Sequence, residues 1–307
     1  MTDSLTSKLT ISGYMLLNFV SSVGILWANK FAYNSGFPYA TTLTFLHFIV
    51  TFVGLEICAR CGFYERKALS IKAVAPISAF FCAFVVFTNL SLKYNTLGVN
   101  QLLKVMTTPV IVAIQYFFYD LTLPSVQILS LIVLCTGVVL ATVSSLDVNA
   151  IGLFWGCAGI LTTSMYQILV KTQQQALNAS PQQLLYYQSI VSAGMLACII
   201  PFVEPIKDSI LSKQISVNTW CWVSLSALLA FLVNMSVFLV IGKTSPVSYN
   251  VLGHGKLCVI LTSGFVFFGE RGSTSVYLGI ALAVIGIVWY THLKLQNEAA
   301  HKDFSKL

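Results

Sequence analysis

Charge is what this sequence has least of. Only 9% of its 307 residues are Asp, Glu, Lys or Arg, against about 25% in an ordinary soluble domain, and a water-exposed globule is excluded on that ground. There is no glycine-rich phosphate loop, no His/Cys/Asp spacing of the kind that holds a metal, and no nucleophile paired with a base. The expectation is therefore a protein that is not an enzyme, with no catalytic residues, no metal and no cofactor. Residues 1–10 carry neither a basic n-region nor an Arg-rich amphipathic stretch, so no cleaved signal or transit peptide is expected and the first apolar span acts as its own anchor. The formal net charge is +7, but the basic residues are scattered through connections and form no stripe, which argues against nucleic acid.

What the chain has in abundance is apolar surface. Hydrophobic residues make up 57% of it and the mean hydropathy is +0.83. Windows of about 19 residues mark ten candidate spans, near 10–32, 39–59, 73–93, 98–119, 126–145, 151–171, 182–203, 219–242, 246–268 and 275–294. The fold class expected is an all-α polytopic membrane protein with ten transmembrane helices, embedded in membrane lipid. No length remains for a soluble catalytic domain. An even number of spans puts both termini on one side, and that side holds Lys8, Arg60, Arg66, Lys67, Lys72, Lys171, Lys243, Lys294, Lys302 and Lys306. The other holds Lys30, Lys93, Lys207, Lys213 and Arg271. Positive charge favours the cytosol, so both termini are expected there.

Six of the eight cysteines lie in or beside spans and read as small apolar packing groups. Cys58 and Cys61 form one Cys-x-x-Cys with no second pair or nearby histidine, too little for zinc. The C-terminal Ser305-Lys306-Leu307 matches a peroxisomal address that is read mainly on soluble cargo, so a peroxisomal membrane is not the expectation.

Weak internal similarity repeats in order at offsets of about 140 to 152 residues. Residues 21–30, ending in Lys30, lie over residues 162–171, ending in Lys171. Phe37-Pro38 matches Ser180-Pro181, Asn89-Leu90-Ser91 matches Asn234-Met235-Ser236, Lys104 matches Lys256, and Ser125-Val126 matches Ser275-Val276. Five spans per half is an odd number, so the second half enters the membrane from the opposite side. The expected domains are a first five-helix repeat over 1–147 and an inverted one over 148–307, an architecture used by carriers that alternate access around a midplane site.

Lysine inside an apolar span costs about 2.5–3.5 kcal/mol even on a lenient scale, and the chain accepts that cost at Lys104 and Lys256. Few carboxylates are placed to pair with them, since Asp120, Asp147, Glu204 and Glu270 sit in connections or at span ends and Glu56 lies about three residues from one. We read both lysines as holding an anion between them. Pro109 is expected to free a backbone carbonyl one turn earlier, next to Lys104. Tyr186, Tyr187, Gln188 and Ser189 offer rings and an amide suited to a flat heterocyclic base; interhelical hydrogen bonding is the alternative. Tyr166, Gln167, Asn89, Asn234, Tyr249 and Asn250 are further candidate substrate-binding residues. Lys30 and Lys171 join them, although both close their spans and can reach headgroups. His254 lies about 200° around a helix from Lys256 and cannot share its face; His47 reads as a packed histidine. The sequons at Asn89 and Asn234 fall inside spans, which excludes glycosylation there.

Lys104-Val105-Met106-Thr107-Thr108-Pro109, Thr88-Asn89-Leu90-Ser91-Leu92, Leu184-Leu185-Tyr186-Tyr187-Gln188, and the run from Gly242-Lys243-Thr244-Ser245-Pro246 through Gly253-His254-Gly255-Lys256 resemble the triose-phosphate translocator and nucleotide-sugar transporter family of the drug/metabolite transporter superfamily. Within it the chain is most similar to subfamily E of solute carrier family 35, and next to plant transporters of UDP-xylose and of UDP-rhamnose/galactose. The resemblance implies a ten-helix antiporter, usually in the Golgi, that exchanges a cytosolic nucleotide sugar for a lumenal nucleoside monophosphate. It puts Tyr186, Tyr187, Gln188 and Ser189 on the four base-reading positions of GDP-mannose carriers, where Gln188 and Ser189 depart from Phe-Tyr-Asn-Asn, so a UDP-sugar is expected rather than a guanine nucleotide. Plastid translocators of this family carry Lys-Arg where this chain has Lys256-Leu257, and losing that guanidinium removes a bidentate phosphate fork. Two other readings stay open: a carrier of a phosphorylated or carboxylated small metabolite, and a non-transporting membrane receptor or scaffold. The oligomeric state is open too, a homodimer included.

Overall fold

The structure is a computed structural model. It describes residues 2–95, 97–119, 123–143, 149–204, 215–247, 249–250, 252–253, 256 and 273–304. Ten helices are defined there: α1 (Thr2–Asn34), α2 (Ala40–Arg60), α3 (Ile71–Tyr94), α4 (Leu97–Val105), α5 (Thr107–Tyr119), α6 (Ser125–Val143), α7 (Ala150–Ala176), α8 (Pro181–Val203), α9 (Val217–Lys243) and α10 (Thr274–Phe304). Among the described residues there is no strand. Seven helices there are long and apolar enough to cross a membrane, and two shorter apolar stretches run over Leu103–Tyr119, across the junction of α4 and α5, and Ser125–Ala141. The expected ninth span, 246–268, lies mostly outside the described residues, as do His254, Gly255, the boundary at 147/148 and the C-terminal Ser305-Lys306-Leu307.

The helix ends follow from local chemistry. Ser180 caps α8 through a full capping box with Gln183, satisfying two backbone donors reciprocally. Ser216 caps α9 by accepting from Thr219 N at 3.2 Å. α2 has no side-chain cap from its own first turn. Instead Glu204, at the end of α8, accepts from Thr41 N at 2.5 Å, Thr42 N at 3.1 Å and the Thr42 hydroxyl at 2.5 Å. A carboxylate at a helix N-terminus also complements the helix dipole.

α1 and α7 stop in the same way. After α1, Phe37 N donates to Ala32 O and Gly36 N to Tyr33 O; after α7, Ala179 N donates to Gln174 O and Asn178 N to Gln175 O. Both are Schellman closures, which need one residue in the left-handed region. Gly36 (φ 110°) and Asn178 (φ 44°) fill that position. Lys30 and Lys171, which the internal similarity aligns, precede these two stops by six and seven residues respectively.

The span expected over 98–119 is not one helix. It breaks at Met106, whose N–H bonds back to Leu103 O at 3.0 Å, and α5 begins at Thr107. Proline at 109 leaves the Val105 carbonyl without an i+4 donor, and in the first turn of α5 its missing N–H has no helical bond to lose.

By contacts the chain divides into two compact units, Met1–Asn89 with Met165–Tyr249, and Leu90–Ser164 with Asn250–Leu307. Each unit draws on both expected sequence halves. In the first, buried side chains bond between helices: Asn18 donates to Ser236 Oγ at 2.9 Å, His47 Nε2 lies 2.6 Å from Ser226 Oγ, Ser226 Oγ also meets Asn29, and Asn234 donates to Thr51 Oγ1 at 3.1 Å. Each such bond within lipid is worth about 0.6 kcal/mol, and together they fix how α1, α2 and α9 meet. In the second unit α6 and α10 meet at glycines. A Cβ on Gly137 would lie 2.3 Å from Ala283 N, one on Gly279 2.4 Å from Ala141 N, and one on Gly286 2.5 Å from Leu134 N. Small residues allow this backbone approach, which drives helix association where lipid and side chain are equally apolar.

Candidate functional site

The first unit holds most of the sequence-predicted residues. On α8, Tyr186 and Tyr187 are half-buried whereas Gln188 and Ser189 are wholly buried. Four consecutive residues sweep most of a helical turn, so they cannot all face one ligand. The Tyr186 hydroxyl donates to Glu56 Oε2 at 3.1 Å. Its ring lies 4.8 Å from that of Phe52 and 5.4 Å from that of Tyr187. Gln188 donates through Nε2 to Ser192 Oγ at 3.1 Å, and its Oε1 is buried with no partner among the described residues. Ser189 turns its hydroxyl back to Leu185 O at 2.6 Å, within its own helix.

Tyr166 and Gln167 on α7 are buried, with the Tyr166 ring edge-on to Phe81 at 5.1 Å. Tyr249 is half-buried and packs against the apolar cluster that contains Tyr166. Lys171 donates to Gly242 O at 2.7 Å. That ammonium therefore sits at the C-terminus of α9, where the helix dipole favours a cation. A Cβ on Gly242 would come within 2.3 Å of Gln174 Oε1, so the Gln174 side chain would have to shift to admit one. Lys30 lies 5.9 Å from the Trp27 ring centre, inside cation–π range. Asn234 is engaged with Thr51 as described, while Asn89 Nδ2 is buried with no partner among the described residues.

Lys104, Asn250 and Lys256 belong to the second unit. Lys104 occupies the last turn of α4, with an exposed side chain between buried Leu103 and Val105. Among the described residues it has no ion pair or hydrogen bond. Lys256 is only 7% exposed and Asn250 only 8%. The end of a broken helix next to a cation is the arrangement that carriers use for ion and substrate sites.

Sequence reasoning missed Glu56 as part of this region. It accepts from Arg60 Nε at 2.8 Å and Arg66 Nη2 at 2.5 Å as well as from Tyr186. The one available signal was that Glu56 is a carboxylate set inside a span rather than in a connection. No group of three or more His, Cys, Asp or Glu side chains fit to hold a metal occurs among the described residues.

Comparison with known proteins bears on the chain as a whole. The chain is 34% identical to UDP-xylose transporter 1 of Arabidopsis thaliana over 93% of this chain and 84% of that protein. It is 34% identical to UDP-xylose transporter 2 of the same plant, over 97% and 86%. With its UDP-rhamnose/UDP-galactose transporter 1 the identity is 30%, over 96% and 87%. A solved crystal structure superimposes with a TM-score of 0.68 over 94% of this chain and 99% of that one, at 15% identity, a likeness of fold alone. The model of the Triose-phosphate Transporter family matches residues 9–291. The chain belongs to the Triose-phosphate Transporter family and is a membrane transporter, not an enzyme.

Proposed function

We propose that this protein is an antiporter that takes a cytosolic nucleotide sugar, a UDP-sugar, across an endomembrane and returns a lumenal nucleoside monophosphate by alternating access. The observation that carries this reading is Lys104, a cation at the end of an interrupted helix, deep in an apolar segment, with an exposed ammonium-bearing side chain and no carboxylate partner among the described residues. An anionic solute supplies the missing charge. Lys256, in the same compact unit, is the second phosphate-binding group. Tyr186 and Tyr187 provide the face for the base, and Gln188 an amide oxygen with no donor among the described residues. The names of the UDP-sugar transporters to which the chain is 30–34% identical support the choice of substrate.

Ten helices in a five-plus-five inverted repeat are part of the proposal, supported by the matching stops of α1 and α7 and by compact units that each take from both halves. So are a Golgi location and cytosolic termini, the latter supported by the excess of positive charge on their side. The test uses purified protein in liposomes loaded with UMP. Labelled UDP-xylose, UDP-galactose or UDP-rhamnose should enter, and Lys256→Ala should abolish entry. Uptake indifferent to internal UMP refutes antiport. Stabilisation by a phosphorylated or carboxylated small metabolite, with none by UMP, would assign the carrier to that substrate class instead.

A further inference from the structure

The Tyr186 hydroxyl does not point into open space. It donates to a carboxylate, Glu56, that is itself held on its other oxygen by Arg60 and Arg66. Arg60 is a neighbour one turn along α2, whereas Arg66 comes from the connection between α2 and α3. That connection is fixed independently: Tyr64 OH donates to Leu55 O at 3.1 Å, Lys67 Nζ to Leu177 O and Asn178 O at 2.9 and 3.0 Å, and Gln183 Nε2 to Glu65 O at 2.7 Å. Arg66 therefore reaches Glu56 from a braced segment, and Glu56 in turn is held on both sides. With Phe52 packed on its ring, Tyr186 has its ring and its hydroxyl fixed by two residues four apart on α2, the spacing that puts them on one face.

We infer that Glu56 is a positioning residue for transport: its carboxylate holds the Tyr186 hydroxyl, and so presents the ring to the nucleotide base in one fixed orientation. The inference rests on the nucleotide-sugar reading above and extends it to a residue that touches no substrate. A tyrosine ring can rotate about two side-chain bonds, and fixing it beforehand removes an ordering cost that binding would otherwise meet. A hydrogen bond to a charged acceptor is strong enough to matter at that level. The effect falls on affinity, because the ring is ordered before the substrate arrives and the transport step itself is untouched.

The experiment is a double-mutant cycle with Glu56→Ala and Tyr186→Phe in UMP-loaded liposomes. Each single change should raise KM for the UDP-sugar about tenfold, the loss of one charge-assisted bond, with the maximal rate kept. The double variant should be no worse than either single one, since both remove the same bond. Glu56→Gln, which keeps an acceptor for the hydroxyl, should recover most of the affinity although it loses the charge facing Arg60 and Arg66. If Glu56 serves only to anchor the connection, Glu56→Gln will be as poor as Glu56→Ala and the two substitutions will add; either result overturns the inference. A wild-type protein that exchanges no nucleotide sugar defeats the proposed function instead. The same cycle read by thermal unfolding without substrate then decides whether Glu56 holds Tyr186, and independent effects there refute it.

Discussion

The contact between α6 and α10 predicts its own failure quantitatively. An alanine at Gly279 would bring its Cβ to 2.4 Å from Ala141 N, 2.7 Å from Gly137 O and 2.8 Å from Ala141 Cα. All three are backbone atoms, so no side chain can swing aside. Ordinary contact needs about 3.4 Å, and the helices must part by roughly 1 Å along that line. Overpacking of this kind costs about 1–3 kcal/mol, and separating the helices also sacrifices the close dispersion contacts along the whole seam, which includes Gly137 and Gly286. Gly194, on α8, is the control, since a Cβ there meets nothing within 4 Å. Gly194→Ala should stabilise by about 0.4–1 kcal/mol because it removes backbone freedom from the unfolded chain. Thermal unfolding in detergent, followed by the loss of the monodisperse peak in size-exclusion chromatography, should give a Gly279→Ala midpoint several degrees below wild type and a Gly194→Ala midpoint at or above it. A Gly279→Ala protein as stable as wild type would mean that α6 and α10 do not meet through their backbones.

Three other perturbations follow from single contacts. Glu204→Ala removes the only side-chain acceptor that caps α2 among the described residues and should cost about 1–2 kcal/mol, read as a lower unfolding midpoint; Glu204→Gln, which keeps an acceptor oxygen, should cost less. Lys171→Met keeps the apolar stem but leaves the Gly242 carbonyl without its ammonium donor, and a loss of about 1.5–3 kcal/mol in thermal unfolding is expected for a charged hydrogen bond. Tyr64, in the connection after α2, has its phenol pushed up to about 12 by burial. The folded state thus favours the neutral phenol, so its contribution is complete below pH 10 and is lost as pH rises from about 10 to 12; Tyr64→Phe should flatten that alkaline decline, and an unchanged profile would refute the assignment.

Length and hydropathy made the helices legible, because a bilayer sets how long an apolar run must be. The carbonyl freed before Pro109 was legible too, since proline removes a donor wherever the chain puts it; that the helix stops altogether at Met106 was not. Connections between distant residues were not. Nothing in a linear sequence says that Glu204 caps a helix whose Thr41 lies 163 residues earlier, or that the Lys171 ammonium ends on the Gly242 carbonyl. Lys30 and Lys171 align in sequence, yet one lies by an indole ring and the other at a helix C-terminus. The step in exposure from Tyr186 and Tyr187 to Gln188 and Ser189 was hidden for another reason. An α-helix that is apolar nearly all round has little periodicity from which to read its buried face.

The polar groups inside the helices fall into two physical kinds, and the difference bears on which of them meet substrate. Asn18, His47, Ser226, Thr51, Asn234, Lys171 and Gln174 bond to neighbouring helices within the first unit; their chemistry is spent on packing. Asn89 Nδ2, Asn95 Nδ2 and Gln188 Oε1 are buried with no partner among the described residues, and such a group costs about 1–3 kcal/mol for as long as it stays unmade. Lys104 differs from these three, because its side chain is exposed rather than buried. It has no counter-ion among the described residues, which is what the proposed contact with a phosphate oxygen would supply. An orphaned amide in a closed interior invites a single buried water, whereas an accessible ammonium at a helix break is suited to a solute that arrives and leaves. The proposed anion-binding role therefore rests more heavily on Lys104 than on any of the buried amides.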